Sequence, residues 1–215
     1  SSVRANTTAG FSIVSYTGND TSGATVGHGL GAIPNLWMLK QRSGSGGLWI
    51  VRSTEFANTH YLVLDAEGLY NPISDVTGDA DPTTSVVPVG DADSNNNADY
   101  IGYFWTSIPG YSKIGSYEGN GGEIFIHTGF KPQMLLLKRT NGGANSSHWY
   151  VFDDELDSYL VPSNDSTEPA SDFSNHRFLS NGFYFNTNNS AVNGNGDPYI
   201  FAAWASTPFK YSNAN

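Results

Sequence analysis

Short stretches of apolar residues, each followed by a cluster of turn-forming residues, recur along the chain. Phe11–Tyr16 (FSIVSY) alternates between apolar and polar residues, while Leu36–Leu39 (LWML) and Tyr100–Trp105 (YIGYFW) are almost continuously apolar. Alternation is typical of a strand with one buried face, and a short apolar run is typical of a strand covered on both faces. Turn-forming segments such as Thr17–Gly23 and Ser43–Gly47 separate these runs. The pattern therefore predicts an all-β protein built from short strands.

The pattern of strands and turns occurs twice, with a spacing of roughly a hundred residues that is too long for a solenoid repeat or a propeller blade. The segment His28–Arg42 (HGLGAIPNLWMLKQR) returns as His127–Arg139 (HTGFKPQMLLLKR). Other equivalent positions are Tyr16 and Tyr117, Pro34 and Pro132, Lys40 and Lys138, Trp49 and Trp149, and Trp105 and Trp204. Chance alone would not place all of these matches in the same order.

The duplication predicts the domain organisation. Residues 1–10 (SSVRANTTAG) are polar and lack periodicity, so we expect a lead-in or linker there. Residues 11–109 form the first pseudo-repeat and residues 110–215 the second, each with about seven strands. The joint at Pro109–Gly110 is too short for a flexible linker, so we expect the halves to pack together as one compact unit.

Two such repeats predict an antiparallel β-sandwich, with a jelly-roll-like or lectin-like form as the finer prediction. Two sandwiches in tandem and one pseudo-symmetric sandwich are open alternatives.

Composition narrows the class of protein. Only 14% of the 215 residues are charged, against roughly 25% in an average domain, and the formal net charge is −10. An acidic chain with few, scattered Lys and Arg residues is not expected to bind nucleic acid. Cysteine is absent, which excludes disulfides and Cys-based zinc sites. No apolar run approaches the ~20 residues of a membrane helix, so we expect no membrane insertion. The chain starts at Ser1 without a signal peptide, and we expect a processed piece of a longer protein.

One loop has the residue spacing of a cation site. Asp91, Asp93, Asn95 and Asp99 supply four side-chain oxygens spaced like the start of a calcium-binding loop, whereas Ca²⁺ needs about six to eight. The Gly at the sixth position and the Glu at the twelfth position of such a loop are missing. Calcium is the only cofactor that the sequence suggests. The alternative is a solvated hairpin turn whose Asx side chains bond their own backbone.

Aromatic residues provide the candidates for ligand binding. Aromatic ring faces are flat apolar surfaces against which the C–H faces of sugars stack in carbohydrate-binding proteins. Four of the five Trp residues recur at equivalent positions of the two halves, which favours packing in the core. Four tyrosines remain as candidate surface aromatics for a ligand: Tyr70, Tyr103, Tyr150 and Tyr184.

The sequence offers no catalytic residue. The densest acidic cluster is Asp153–Asp157 (DDELD), but general acid catalysis needs a buried carboxyl group, and this cluster is predicted to be exposed. The motif histidines His28 and His127 are either metal ligands or structural residues that bond a turn carbonyl, and the structural interpretation is favoured. No GxSxG or HExxH pattern supports a nucleophile or a zinc site.

Several motifs together resemble a known family. The segments GFSIVSYTGN, VGHGLG, YIGYFW, GYSKIGSYEGNG and PFKYSNA are similar to a duplicated domain of unknown function in virion proteins of tailed phages, notably marine and cyanobacterial phages. The resemblance extends from about Gly10 to the end of the chain and includes the duplication. It implies a tail-fibre-like, extracellular protein of the virion surface, and it transfers no catalytic residue.

These observations predict a non-enzymatic structural or adhesion module of a phage particle. We expect it to contact a glycan or a protein of the host surface, to associate with other virion subunits and to form homo-oligomers. One alternative is a self-assembling structural subunit without ligand binding, such as a capsid decoration or a fibre building block. The other is a glycan depolymerase that uses the Asp153–Asp157 cluster.

Overall fold

The described part of the chain consists of antiparallel β-structure in two compact units. The computed structural model describes residues 1–44, 47–64, 71–72, 74–141, 148–155, 159–160 and 176–206. The units divide between Ser107 and Ile108, close to the predicted joint at Pro109–Gly110. No helix in this part of the chain is long and apolar enough to cross a membrane. The expected packing of the two halves against each other stays a prediction.

The first unit contains strands from Ser2 onwards and one helical turn. Its strands are β1 (Ser2–Asn6), β2 (Phe11–Thr17), β3 (Ala24–Gly27), β4 (Leu36–Gln41), β5 (Trp49–Ser53), β6 (His60–Val63), β7 (Asn71–Pro72), β8 (Val86–Val89) and β9 (Asp99–Trp105). The helical turn α1 (Ser74–Thr77) lies between β7 and β8.

The second unit follows the same course. Its strands are β10 (Ser112–Glu118), β11 (Glu123–His127), β12 (Met134–Arg139), β13 (Trp149–Asp153), β14 (Tyr159–Leu160), β15 (His176–Leu179), β16 (Gly182–Asn186) and β17 (Pro198–Trp204).

Both units contain the same arrangement of seven strands. In the first unit the large sheet has the order β1-β2-β9-β4-β5-β6-β7, and β3 pairs separately with β8. In the second unit the large sheet has the order β10-β17-β12-β13-β14, and β11-β16-β15 forms a smaller sheet. Without β1, β7 and β15, each unit has five strands in one sheet and two in the other. The predicted antiparallel sandwich with two pseudo-repeats is confirmed, with fewer shared strands per unit than the eight of a jelly roll.

The core of the second unit lies between its two sheets. The ring centroids of Phe183 in β16 and Phe201 in β17 lie 5.1 Å apart, and those of Phe152 in β13 and Phe185 in β16 lie 5.7 Å apart. All four side chains are at most 2% exposed. Edge-to-face pairs of this kind contribute about 0.5–1.5 kcal/mol beyond the burial of their area. The second unit therefore has its own core between two sheets.

The first unit has a buried cation where the second unit has an aromatic ring. Arg52 of β5 is 2% exposed, and its guanidinium carbon lies 5.3 Å from the centroid of the Trp37 ring. It donates hydrogen bonds to the carbonyl oxygens of Thr77 (3.0 Å) and Asn58 (2.7 Å). The equivalent position in β13 is occupied by Phe152. The guanidinium thus ties β5 to α1 and to the turn between β5 and β6.

A stacked pair of tyrosines recurs in each unit. The rings of Tyr16 and Tyr100 lie 5.0 Å apart and those of Tyr117 and Tyr199 lie 4.9 Å apart, each pair facing across neighbouring strands. Desolvation by burial raises the pKa of Tyr100 and of Tyr199 to about 12. The hydroxyl groups therefore stay protonated and donate to nearby loops, as Tyr16 does to the Ser94 carbonyl at 2.6 Å.

The prediction of a lead-in at residues 1–10 was wrong, because residues 2–6 form β1. This strand pairs with β2 along all five of its residues. Its side chains are exposed except for the half-buried Val3. An edge strand with so little buried surface needs no alternation of apolar and polar residues, so its sequence reads as a loop. The charged Arg4 at its centre is typical of an edge strand.

The repeated motif is offset by one residue from the predicted alignment. Strand β3 ends just before His28, whereas β11 ends at His127, so the counterpart of His28 is Thr128. His28 is fully buried; its Nδ1 accepts the Leu30 N–H at 3.2 Å, and its Nε2 lies 3.2 Å from the Thr83 carbonyl oxygen. His127 is exposed. A shift of one residue moves a side chain to the opposite face of a strand, which explains the different environments.

The tryptophans divide into two groups. Trp37 and Trp149 are at most 1% exposed, as expected for buried residues. Trp49, Trp105 and Trp204 are only partly buried, so the core prediction was wrong for these three.

Candidate functional site

The outer face of the three-stranded sheet β11-β16-β15 carries an unusual set of exposed side chains. The sequence of β11, EIFIH, alternates, so Ile124 and Ile126 pack towards the core of the second unit. Glu123, Phe125 and His127 occupy the opposite face and are exposed. Phe125 is 44% exposed and is the one aromatic among the exposed large hydrophobic side chains of the described chain.

Strand β16 places a second aromatic residue beside Phe125. Phe183 and Phe185 point into the core, which leaves Tyr184 and Asn186 on the outer face. Tyr184 pairs directly with Phe125 in the antiparallel register. Side chains in such pairs have Cβ atoms about 4.5–5.5 Å apart. Two aromatic side chains are therefore neighbours on the outer face.

Strand β15 completes a row of three side chains across the sheet. Arg177 pairs with Tyr184 from the other side, and Leu179 pairs with Gly182. A Cβ atom at Gly182 would lie 2.8 Å from the Phe125 ring and 2.1 Å from the Ile126 carbonyl oxygen. Glycine at this position therefore leaves the space in which the Phe125 ring lies. The row across the face runs Phe125, Tyr184, Arg177.

The outer face contains a shallow groove. Its lining residues are Glu123, Arg177, Leu179, Tyr184 and Asn186, and its volume is about 380 Å³. That volume lies at the lower end of the ~300–1,000 Å³ that small-molecule sites occupy. We call this surface, with Phe125 beside it, the aromatic groove.

The polar side chains of the aromatic groove are partly engaged with one another. Partial burial raises the pKa of Tyr184, and the neighbouring Glu123 carboxylate raises it further by accepting a hydrogen bond from the hydroxyl group. The Asn186 amide nitrogen lies 3.5 Å from Glu123 Oε1. The phenol is therefore protonated at neutral pH. The groove offers ring faces for apolar contact and amide, carboxylate, hydroxyl and guanidinium groups for hydrogen bonds.

The first unit has no equivalent of the aromatic groove within its described residues. The residues that correspond to Phe125 and Tyr184 are Thr25 and Pro88, which pair with each other between β3 and β8. Among the described residues of the first unit, no strand corresponds to β15, and the Gly90 N–H donates to the carbonyl oxygen of Val76 in α1. The aromatic groove is thus an individual feature of the second unit.

Of the four predicted ligand tyrosines, only Tyr184 lies in the aromatic groove. Tyr103 is half-buried on the outer face of the first unit's large sheet, where its ring lies 6.0 Å from that of Trp49 and 6.2 Å from that of Trp105. Its role in binding stays a prediction. Tyr70 lies outside the described residues.

The prediction that Tyr150 is a surface aromatic was wrong. Tyr150 is 6% exposed and belongs to the core of the second unit. It follows Trp149 directly in β13, and successive residues of a strand point to opposite faces. The side chain of Tyr150 therefore points between the sheets, where no ring face is open to a ligand.

The predicted calcium loop is held by protein hydrogen bonds at two of its four positions. Asn95 is 3% exposed, and its Nδ2 donates to Asn19 Oδ1 (2.7 Å) and to the Thr21 carbonyl (3.0 Å). The Asp99 carboxylate is exposed and accepts a hydrogen bond from the Thr17 hydroxyl at 2.9 Å. Asn95 is therefore a structural residue that joins two loops.

The other two positions of this loop are half-buried. Burial raises the pKa of Tyr61, and the nearby Asp93 carboxylate raises it further. Among the described residues, no group of three or more His, Asp or Glu side chains is placed to hold a metal ion. Calcium binding at Asp91 and Asp93 stays a prediction.

The acidic cluster considered for catalysis has separate partners for its carboxylates. The Asp153 carboxylate accepts the Glu155 N–H at 2.9 Å and so closes a turn. Asp154 forms an ion pair with the exposed Lys131. Asp157 lies outside the described residues. In this arrangement Asp153 and Asp154 serve as a turn cap and a surface ion pair.

The fold and the aromatic groove define a class of protein: an all-β protein with two compact antiparallel units, one of which has an exposed aromatic and polar sheet face. The chain belongs to the family described as Domain of unknown function (DUF7483), which matches residues 1–208. The match covers both units. Among curated proteins and among solved structures, none is significantly similar to this chain.

Proposed function

We propose that this chain is a non-enzymatic adhesion module of a virion surface and that its second unit binds a host-surface glycan in the aromatic groove. The observation that carries this proposal is the pair Phe125 and Tyr184, directly opposite each other on an outer sheet face. Three hydrogen-bonding side chains, Glu123, Arg177 and Asn186, lie around them.

Glycan recognition needs this combination of groups. The C–H face of a pyranose stacks on an aromatic ring, and its hydroxyl groups bond to nearby amide, carboxylate and guanidinium groups. Phe125 exposes 44% of its surface, and the exposed Leu179 lies on the same face. Covering these apolar side chains on binding contributes roughly 25 cal/mol per Å² of apolar area. The face thus supplies both an apolar and a polar component of affinity.

The virion context of the proposal rests on the sequence resemblance to phage particle proteins. Because the chain lacks cysteine, its fold does not depend on the redox conditions around the particle. Other virion subunits and further copies of the chain are the proposed structural partners.

Self-assembly through edge strands is less well supported than adhesion. In β1 the central residue is Arg4, so two β1 strands that pair antiparallel about their centres would place two guanidinium groups opposite each other. Like charges directly opposite each other destabilise such a pair. This charge argues against β1 as an assembly edge.

The test is a glycan array with the intact chain, followed by titration of the best glycan into variants. We expect Phe125→Ala and Tyr184→Ala to weaken binding by about tenfold each, which corresponds to 1.4 kcal/mol. Ile33→Ala is the matched control, because Ile33 is 44% exposed in the first unit. It should bind as the unsubstituted chain does. Absence of binding to any glycan, or unchanged binding by both groove variants, would overturn the proposal.

A further inference from the structure

We infer that the ligand of the aromatic groove is an acidic glycan, whose sugar carboxylate binds the guanidinium group of Arg177. This inference rests on the proposed function and specifies its substrate class.

Within the described part of the chain, Arg177 is a cation with no ion-pair partner. It lies in β15 with its side chain exposed on the outer face, directly opposite Tyr184. Within the described residues, its guanidinium group has no hydrogen bond and no ion pair. A planar guanidinium group presents paired N–H donors that match the two oxygens of a carboxylate. Arg177 is therefore available for such a ligand.

The nearby negative charge is already engaged. The Glu123 carboxylate lies beside Tyr184 in the groove, and the Asn186 amide nitrogen lies 3.5 Å from its Oε1. Glu123 and Arg177 belong to the two outer strands, with Tyr184 of β16 between them. These neutral donors do not cancel the charge of Glu123, but the charged group of the groove without a hydrogen-bonding partner among the described residues is Arg177. A ligand with a carboxylate complements it, whereas a neutral glycan leaves it unmatched.

The spacing of the side chains in the row Phe125, Tyr184, Arg177 indicates the size of ligand that fits the groove. Directly paired residues have Cβ atoms about 4.5–5.5 Å apart, which is close to the width of a pyranose ring. One sugar that stacks on Tyr184 can thus present a ring carboxylate to Arg177. The net charge of −10 does not prevent this contact, because charges beyond the Debye length of about 8 Å are largely screened at physiological ionic strength.

The experiment compares matched glycans. Oligosaccharides that contain glucuronic acid, galacturonic acid or N-acetylneuraminic acid are titrated against the intact chain, each beside its carboxyl-reduced counterpart. At least one acidic form should bind about tenfold more tightly than its reduced counterpart, a difference of 1.4 kcal/mol. In Arg177→Gln the two forms should bind equally, and Arg177→Lys should retain part of the preference.

Controls separate the inference from the proposed function. Arg4→Gln removes another exposed guanidinium group, in the first unit, and should keep the full preference for the acidic form. If the acidic and reduced forms bind equally and Tyr184→Ala weakens both, the inference fails and the proposed function stands. If neither form of any glycan binds, both fail. A preference that persists in Arg177→Gln would also overturn the inference.

Discussion

Asn95 of the first unit and Asn193 of the second make the same buried contacts with the loop that follows the first shared strand. Asn95 Nδ2 donates to Asn19 Oδ1 at 2.7 Å, and Asn193 Nδ2 donates to Asn120 Oδ1 at 3.2 Å. In return, the backbone N–H groups of Asn19 and Asn120 donate to the two Asn side-chain oxygens at 3.3 and 2.9 Å. The duplication therefore extends from the strand order to a polar network that fixes the loops.

Loss of the hydrogen bonds of the Asn193 side chain should destabilise the second unit. Asn193 is fully buried, and its amide also donates to the carbonyl oxygens of Gly122 (2.7 Å) and Thr187 (2.9 Å). Asn193→Ala leaves these groups without their donor, and we expect a loss of about 2–4 kcal/mol in the free energy of unfolding. Urea denaturation of the intact chain measures this change.

The matched control for Asn193 is Asn195, which lies two residues away and is exposed. Asn195→Ala should change the free energy of unfolding by less than about 0.5 kcal/mol. Equal effects of the two substitutions would contradict a structural role for the buried amide.

The buried imidazole of His28 should make stability depend on pH. Desolvation by burial lowers the pKa of His28, while its hydrogen bond to the Thr83 carbonyl opposes this shift. Its Nδ1 accepts the Leu30 N–H, so the ring is neutral in the folded chain. The unfolded chain binds a proton at a pKa of about 6.5 and the folded chain only at lower pH. The stabilisation that comes from the neutral His28 ring is thus complete above the unfolded-state pKa of about 6.5 and is lost as the pH falls below it.

Unfolding measurements between pH 5 and pH 8 test this dependence, because they cover the unfolded-state pKa of about 6.5. His28→Thr introduces the residue found at the equivalent position of the second unit, Thr128. This substitution should reduce the decrease in the free energy of unfolding as the pH falls. His127→Thr alters an exposed histidine and should retain the dependence. An unchanged acid slope in His28→Thr would show that His28 does not cause it.

Arg52 should be required for the stability of the first unit. Arg52→Met removes two hydrogen bonds to carbonyl oxygens and the contact with the Trp37 ring. We expect a loss of about 2–4 kcal/mol in the free energy of unfolding. Arg52→Lys should restore only part of it, since an ammonium group does not reproduce the guanidinium fork. Arg4→Met on the exposed edge strand is the control, and a similar effect of both Met substitutions would refute the role of the buried cation.

The pattern of apolar residues was sufficient to predict the class of fold. Runs such as Leu36–Leu39 and Tyr100–Trp105 lie in strands, and the duplication of these runs corresponds to the seven shared strands of each unit. Such patterns are local and depend on burial alone. Strand β1 was not predicted because it buries almost no side chain.

The register of the strands, and the sheet face on which each side chain lies, were harder to predict. His28 and His127 look equivalent in sequence, yet one inserted residue places them on different sides of the strand end. Tyr150 was grouped with surface aromatics because aromatic character does not reveal which face of β13 a residue occupies. A strand alternates with a period of two, so an error of one residue reverses every such assignment.

The aromatic groove was only partly visible in the sequence. The alternation in Glu123–His127 shows that Phe125 and Glu123 share a face, and Tyr184 was among the predicted ligand residues. The pairing of β11 with β16 joins segments that are distant in the chain, and no local pattern reveals it. Arg177 acquires its significance only from that pairing.

The most direct test of the central claim is the location of bound glycan on the chain, measured by two-dimensional NMR of the isotope-labelled protein during titration with the tightest acidic oligosaccharide. We predict that the largest shift changes fall on Phe125, Arg177 and Tyr184, with the signals of Tyr103 unchanged. Largest changes at Tyr103 or elsewhere in the first unit, with the aromatic groove unaffected, would contradict it.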